Sequence, residues 1–155
     1  MFERILVPLD GSDVAEGVLP YATSIAKQFG SSIVLLRAVT PIEQITLQQS
    51  AGAMGIPEGS PEIAQEVVDA ELSDATAYMA SMKDKLSKDG LTVETEIVER
   101  LAAPGILDYV KTHPVSLLAM STHGRGGLGR LLFGSVTDEV MRNQPNFPML
   151  LIRPQ

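Results

Sequence analysis

Apolar and polar positions along the chain follow two rhythms, short unbroken apolar runs and longer stripes at helical spacing, and they alternate from one end to the other. Ile5-Leu-Val-Pro-Leu9 is a nearly continuous run that stops at Asp10-Gly-Ser12, which predicts a buried strand followed by a turn and a helix cap. Val14, Ala15, Val18, Leu19, Ala22, Ile25, Ala26 and Phe29 then mark one face of a helix that Gly30 ends. Pro20 lies inside that stripe and predicts a bend, because it removes an intrahelical hydrogen bond. The β-rich run at residues 32–39 is the second strand.

Between residues 40 and 60 the pattern dissolves among Pro41, Gly52, Gly55, Pro57 and Gly59, which predicts a long mobile connection with a helical turn near residues 45–51. Such a segment serves either as a lid or as a tolerated insertion. Pro61 suits a first helical turn, and Ile63, Val67, Ala70, Ala75, Tyr78, Met79, Met82 and Leu86 form a long apolar face before Gly90. Residues 91–99 alternate Val93, Thr95 and Ile97 loosely with Glu94, Glu96 and Glu99 and read as a third strand with at least one solvated face. Ala103-Pro-Gly105 opens a short helix with Ile106, Leu107 and Val110 inward, ending near His113-Pro114, where a histidine meets the negative end of the helix dipole. Residues 115–120 are the fourth strand, residues 135–143 a helix with Val136 and Val140 on one face, and residues 148–152 the fifth strand.

Five strands alternating with helical stretches define an α/β chain with a parallel, doubly wound five-stranded sheet and helices on both faces. In such sheets ligands bind beyond the carboxyl ends of the strands, where the winding reverses. Two polar, glycine-containing strand exits are available there, Asp10-Gly-Ser12 and the segment at residues 121–135; both line one crevice if strands one and four are neighbours.

Composition narrows the class. With 155 residues, 45% apolar and 20% charged, the chain is expected to be a single domain, residues 1–155, that buries its own core. Cysteine is absent, which excludes disulfides and thiolate metal sites and is compatible with a reducing cytoplasm, the expected location. No apolar run is long enough to span a membrane, and the first has neither the length nor the flanks of a signal peptide. A net charge of -7 argues against general nucleic-acid affinity, so neither membrane nor nucleic acid is an expected partner.

The chemistry concentrates in residues 121–135. Gly124, Gly126, Gly127 and Gly129 stand close together with Arg125 and Arg130 among them, and Gly134-Ser135 opens the following helix. Successive N–H groups converging on one anion, with a helix N-terminus behind them, make a phosphate cradle; the same composition also makes a plain surface loop. Two familiar nucleotide motifs fail here. Gly124-Arg-Gly126-Gly-Leu-Gly129 matches G-x-G-x-x-G but follows the fourth strand and has no acidic residue about 20 positions on. Gly129-Arg-Leu-Leu-Phe-Gly134-Ser135 lacks the lysine of a Walker A loop. Asp10 can accept from an adenine amino group or a ribose hydroxyl, or can help cap the helix with Ser12. Ser135 and Thr137 can donate to a phosphate or cap. Arg125 and Arg130 can neutralise phosphate or stay solvated. His123, with no carboxylate or nucleophile partner identifiable in the sequence, does not define a catalytic site.

Taken together, Ile5-Leu-Val-Pro-Leu-Asp10-Gly-Ser12, Met120-Ser-Thr-His-Gly-Arg125 and Gly134-Ser-Val-Thr137 resemble the universal stress protein family, in order and over essentially the whole chain. The resemblance implies an adenine-nucleotide α-hydrolase-like, Rossmann-like fold with strand order 3-2-1-4-5. The ATP-binding branch carries a glycine, two residues, a second glycine, nine residues, and a glycine followed by serine or threonine. Here the second glycine is Gly124, the nine residues are 125–133, and the closing pair is Gly134-Ser135; the first glycine is replaced by Ser121. Branches that do not bind ATP generally lack the later glycines, which this chain keeps.

By this resemblance Pro8, Leu9, Asp10, Gly11 and Ser12 line the base and ribose with Ala38 and Met120. Gly124, Gly134, Ser135, Val136 and Thr137 hold the phosphates, with Ser121, His123, Arg125 and Gly127 completing the cofactor-binding set. The implied ligand is ATP, or ADP or AMP, with Mg2+. The implied function is that of a nucleotide-dependent regulator of a stress response; a slow ATPase and a nucleotide-free interaction module are the alternatives. A homodimer through the strand Pro148 to Ile152 is expected, both from the family and because an apolar edge strand leaves backbone groups unpaired.

Overall fold

In the computed structural model, which describes residues 1–50, 61–122, 134–144 and 146–153, the short apolar runs become the strands of one parallel sheet. These are β1 (Arg4–Pro8), β2 (Ser32–Val39), β3 (Val93–Glu99), β4 (Leu117–Ser121) and β5 (Met149–Ile152), arranged β3-β2-β1-β4-β5. Between them lie helices α1 (Asp13–Glu16), α2 (Leu19–Phe29), α3 (Ile42–Ser50), α4 (Pro61–Ser87), α5 (Ala102–Thr112) and α6 (Ser135–Asn143). The expected doubly wound order 3-2-1-4-5 is the observed one.

The runs are apolar throughout because both faces of the sheet are covered. Successive strand side chains point to opposite faces. Ile5, Val7, Ile33, Leu35, Leu117 and Ala119 pack with Ala22 and Ala26 of α2 and Met79, Met82 and Leu86 of α4. Leu6, Val34, Leu36, Leu118 and Met120 pack on the other side with Ile106 and Leu107 of α5 and Val140 of α6. The third strand is solvated as expected, with Glu94 and Glu96 exposed on one face and Glu99 exposed on the other at the strand's end.

Three expectations change. Pro20 bends no helix: α1 ends at Glu16, Val18 caps α2, and Pro20 falls in the first turn of α2, where no intrahelical hydrogen bond is lost. Phe29 belongs to the helical stripe by spacing yet is 54% exposed, its ring meeting Phe2 edge-on at 5.3 Å. The start of α4 turns a different face inward: Ala64 and Val68 are buried and Ala70 is exposed, because these turns pack against Ile45 of α3 and not against the sheet. The patternless stretch at residues 40–60 thus contributes a helix, α3, whose Ile45 is buried. Residues 51–60 lie outside the described residues.

Candidate functional site

The site begins with a parting of strands. β1 pairs with β4 at Ile5↔Leu117 and Leu6↔Leu118 and no further. Past that point β1 follows β2 as far as Pro8↔Leu36, while β4 follows β5 as far as Ser121↔Ile152. The sheet therefore splits at its carboxyl edge between the two strands from which the winding runs in opposite directions, the position where doubly wound sheets bind ligands.

One lip of the split is the turn after β1. The Leu9 N–H donates to the Leu36 carbonyl at 2.9 Å, holding the chain to the β2 side. Asp10 Oδ1 accepts from the Ser12 N–H at 2.9 Å and from the Ser12 hydroxyl at 2.5 Å, and Ser12 Oγ accepts from the Ala15 N–H at 3.1 Å. Ser12 is therefore the helix cap, and Asp10 the group that orients it. Gly11 has φ +83°, which L side chains rarely adopt, so glycine is what lets the turn close.

The other lip is the end of β4 and the start of α6. Met120, Ser121 and Thr122 are buried. The Thr122 N–H donates to the Ile152 carbonyl at 2.9 Å, and the Gly134 N–H donates to the Thr122 carbonyl. Gly134 caps α6 without a side-chain hydrogen bond. The first N–H groups of such a helix have no intrahelical partner and face whatever lies before it, with the positive end of the dipole behind them. Ser135 is exposed at this end, Val136 packs into the core below α6, and Thr137 is 2% exposed with its hydroxyl donating to the Ser121 carbonyl at 3.2 Å. Ser121, which stands at the motif's first glycine position, directs its own hydroxyl at the Ala15 carbonyl of α1, 3.5 Å away.

Pro8, Leu9, Asp10, Gly11, Ser12, Ala38, Met120, Ser121, Gly134, Ser135, Val136 and Thr137 thus all fall at the carboxyl edge of the sheet. Ala38 sits toward the end of β2, where α5 comes close: a Cβ on Gly105 would stand 3.0 Å from Val98 Cγ2 and 4.0 Å from Ala38 Cβ. His123, Gly124, Arg125 and Gly127, with Gly126, Gly129 and Arg130, lie outside the described residues.

The same edge carries polar groups that pattern reading passes over. Tyr78 of α4 donates to Glu16 Oε1 of α1 at 2.9 Å. Burial, the Glu16 carboxylate and the more distant Asp10 charge all hold the Tyr78 phenol protonated and push its pKa well above the usual range, against a smaller opposing pull from Arg37. Arg37 reaches along Gly11, where a Cβ would lie 3.8 Å from its Nη1, and its enclosed Nε has no hydrogen-bond partner among the described residues. The sequence carried a signal for Arg37, the one charged side chain in β2. It carried none for Tyr78, whose spacing fits an ordinary core position. At the opposite edge His113 ends α5 as expected, its ring stacked on Tyr109 at 3.8 Å.

A doubly wound parallel sheet of order β3-β2-β1-β4-β5 that splits between β1 and β4 defines the class of Rossmann-like α/β folds. The particular family follows from comparison: the family model described as Universal stress protein family matches residues 1–153, and the chain belongs to that family. Universal stress protein MJ0531 of Methanocaldococcus jannaschii is 29% identical over 154 residues, covering 99% of this chain and 83% of its own. Among solved structures, protein MJ0577 of the same organism superposes with a TM-score of 0.83 at 24% identity, covering 100% of this chain and 98% of that one. A universal stress protein in complex with cAMP (TM-score 0.66, 18% identity, 99% and 98% covered) and one from Archaeoglobus fulgidus in complex with dAMP (0.65, 18%, 98% and 99%) share the fold.

Proposed function

We propose that this chain binds an adenine nucleotide in the split between β1 and β4 and acts as a nucleotide-dependent regulator of a stress response. The observation that carries the reading is the early end of the β1 to β4 pairing, with the Asp10-Gly-Ser12 turn on one lip and the N-terminus of α6 on the other. It is supported by the complexes of related folds with cAMP and dAMP. On this reading Pro8, Leu9, Asp10, Gly11, Ser12, Ala38 and Met120 receive the base and ribose. The glycine segment, Gly134, Ser135 and the backbone of Val136 and Thr137 receive the phosphates. ATP is the proposed ligand, with ADP and AMP as shorter members of the same class. Mg2+ is proposed as the counter-ion of the nucleotide, where it would offset phosphate charge; among the described residues no three His, Cys, Asp or Glu side chains converge to hold a metal.

Mass spectrometry of small molecules released from the denatured protein tests this directly: an adenine nucleotide is expected. Added ATP at about a hundredfold above Kd stabilises the fold by ~2.7 kcal/mol on mass action, which in a protein of this size raises Tm by about 5–10 °C. If no nucleotide is released and ATP leaves Tm unchanged, the proposal fails. Phosphate release above a Gly124→Asp control would add hydrolysis to binding. The chain is further proposed to work as one domain and to pair with a second copy through β5, the sheet edge beside β4. Among the described residues no helix is long and apolar enough to cross a membrane.

A further inference from the structure

The family resemblance gives Thr137 to the phosphates, but the structure assigns its hydroxyl elsewhere. Thr137 is 2% exposed, and its Oγ1 donates to the Ser121 carbonyl at 3.2 Å in a buried contact. That carbonyl belongs to the last residue of β4, and the side chain of the same residue reaches the other lip: Ser121 Oγ stands 3.5 Å from the Ala15 carbonyl of α1 and 3.7 Å from where a Gly17 Cβ would project. One buried residue therefore touches the helix behind the Asp10-Gly-Ser12 turn with its side chain and the phosphate-facing helix with its backbone. The motif glycine that Ser121 replaces has no side chain to make the first of these contacts.

We propose that Thr137 is a positioning residue, and that with Ser121 it sets the angle and distance of the α6 N-terminus relative to the α1 lip, so that the split reads the phosphates of the nucleotide. The inference rests on the proposed nucleotide site. The Gly134 N–H is already donated to the Thr122 carbonyl, so among the described residues the start of α6 is tied to the end of β4 both through the backbone and through Thr137. Removing the hydroxyl leaves the backbone tether and frees the helix to tilt. Donors aimed at an anion lose strength steeply with misalignment, whereas the groups proposed to receive the base and ribose belong to β1 and the turn after it, β2 and β4, and none is part of α6.

Thr137→Val is nearly isosteric and removes the hydroxyl; Thr137→Ser keeps it. The Kd for ATP and for adenosine, and Tm without ligand, are to be measured for both variants and the wild type. Thr137→Val is expected to weaken ATP about five- to tenfold while adenosine changes less than about twofold, and to lower ligand-free Tm by about 3–6 °C. Thr137→Ser is expected to stay within about twofold of the wild type for both ligands. If Thr137→Val lowers Tm but leaves the ATP to adenosine ratio unchanged, the contact is structural only and the inference is overturned while the nucleotide site stands. If the ratio shifts with ligand-free Tm unchanged, the hydroxyl is a direct ligand and the inference is likewise overturned. Wild-type protein that binds neither ligand removes the proposed function and this inference with it.

Discussion

Single residues carry the turn, the tightest packing and the titration behaviour of this edge. Gly11, at φ +83°, sits between Asp10 and Ser12 at the β1 exit. Gly11→Ala places a Cβ at 3.8 Å from Arg37, an ordinary contact, so its cost is conformational: about 1–2 kcal/mol, read as a fall of several degrees in Tm. Gly105 is the opposite case. Its backbone is unexceptional and lies inside α5, but a Cβ would stand 3.0 Å from Val98 Cγ2, so Gly105→Ala sets about 1–3 kcal/mol of overpacking against the ~1 kcal/mol of helix propensity it gains and is expected to lose up to about 2 kcal/mol. Val98→Ala removes the opposing atom, and the double variant should recover part of that loss, a non-additivity that denaturant unfolding of the four proteins detects. Tyr78 adds a pH signature. Its folded pKa is raised above 10.0, so between pH 10 and that raised value the folded state keeps a proton that the unfolded chain has lost. Stability must fall as pH rises above 10, and in Tyr78→Phe this part of the decline should flatten.

At the level of elements, Pro20 separates what spacing can say from what it cannot. Residues 14–29 keep one apolar phase, which reads as one helix with a proline in its interior. The structure breaks the segment at Gly17 and Val18 and restarts it, so Pro20 occupies the first turn of α2. Pro20→Ala should therefore change stability by less than about 1 kcal/mol by chemical denaturation, instead of the ~3 kcal/mol gain expected on relieving an interior helix proline. The strands were legible because a sheet covered on both faces demands unbroken apolar runs, and the helix at Ser135–Asn143 because Gly134 and Val140 mark its start and buried face. Phases depend on partners that sequence does not name. Ala64 and Val68 turn inward only because α3 lies beside them, and α3 itself has too weak an amphipathic pattern to stand out from the prolines and glycines around it. For the site, Asp10 and Ser12 were legible as a pair but not which one capped. The hydroxyl of Thr137 looked available to a ligand because nothing in the sequence shows that the end of β4 runs directly beneath it.

The whole molecule presents two unlike sheet edges. At β3 the edge carries Glu96 on one face and Glu99 on the other as exposed carboxylates, with Glu94 ion-paired to Arg4 at 2.7 Å, and the like charge of Glu96 and Glu99 discourages a second copy from adding a strand there. At β5 the side chains Met149, Leu150, Leu151 and Ile152 are apolar and only half-buried. The carbonyls of Pro148 and Ile152 accept from Leu118 of β4 and from Thr122 just beyond it, so by the alternation of a strand the N–H and C=O of Leu151 point away from the sheet. A second copy pairing there would cover both the backbone groups and the exposed apolar surface, whereas the acidic edge offers neither gain. Light scattering at micromolar concentration is expected to give the mass of a dimer for the wild type. Leu151→Pro deletes the outward N–H at an edge position where proline is sterically admissible, and is expected to give a monomer that keeps its far-ultraviolet circular dichroism. A monomeric wild type would overturn the pairing, and a Leu151→Pro variant that remains dimeric would place the contact elsewhere on the surface. Because β5 also fixes the end of β4 through Ser121↔Ile152 and the Thr122 to Ile152 bond, pairing at this edge braces the strand from which α6 hangs. The monomeric variant should accordingly bind ATP a few-fold more weakly than the wild type while its affinity for adenosine is unchanged, which isothermal titration of the two proteins with both ligands measures.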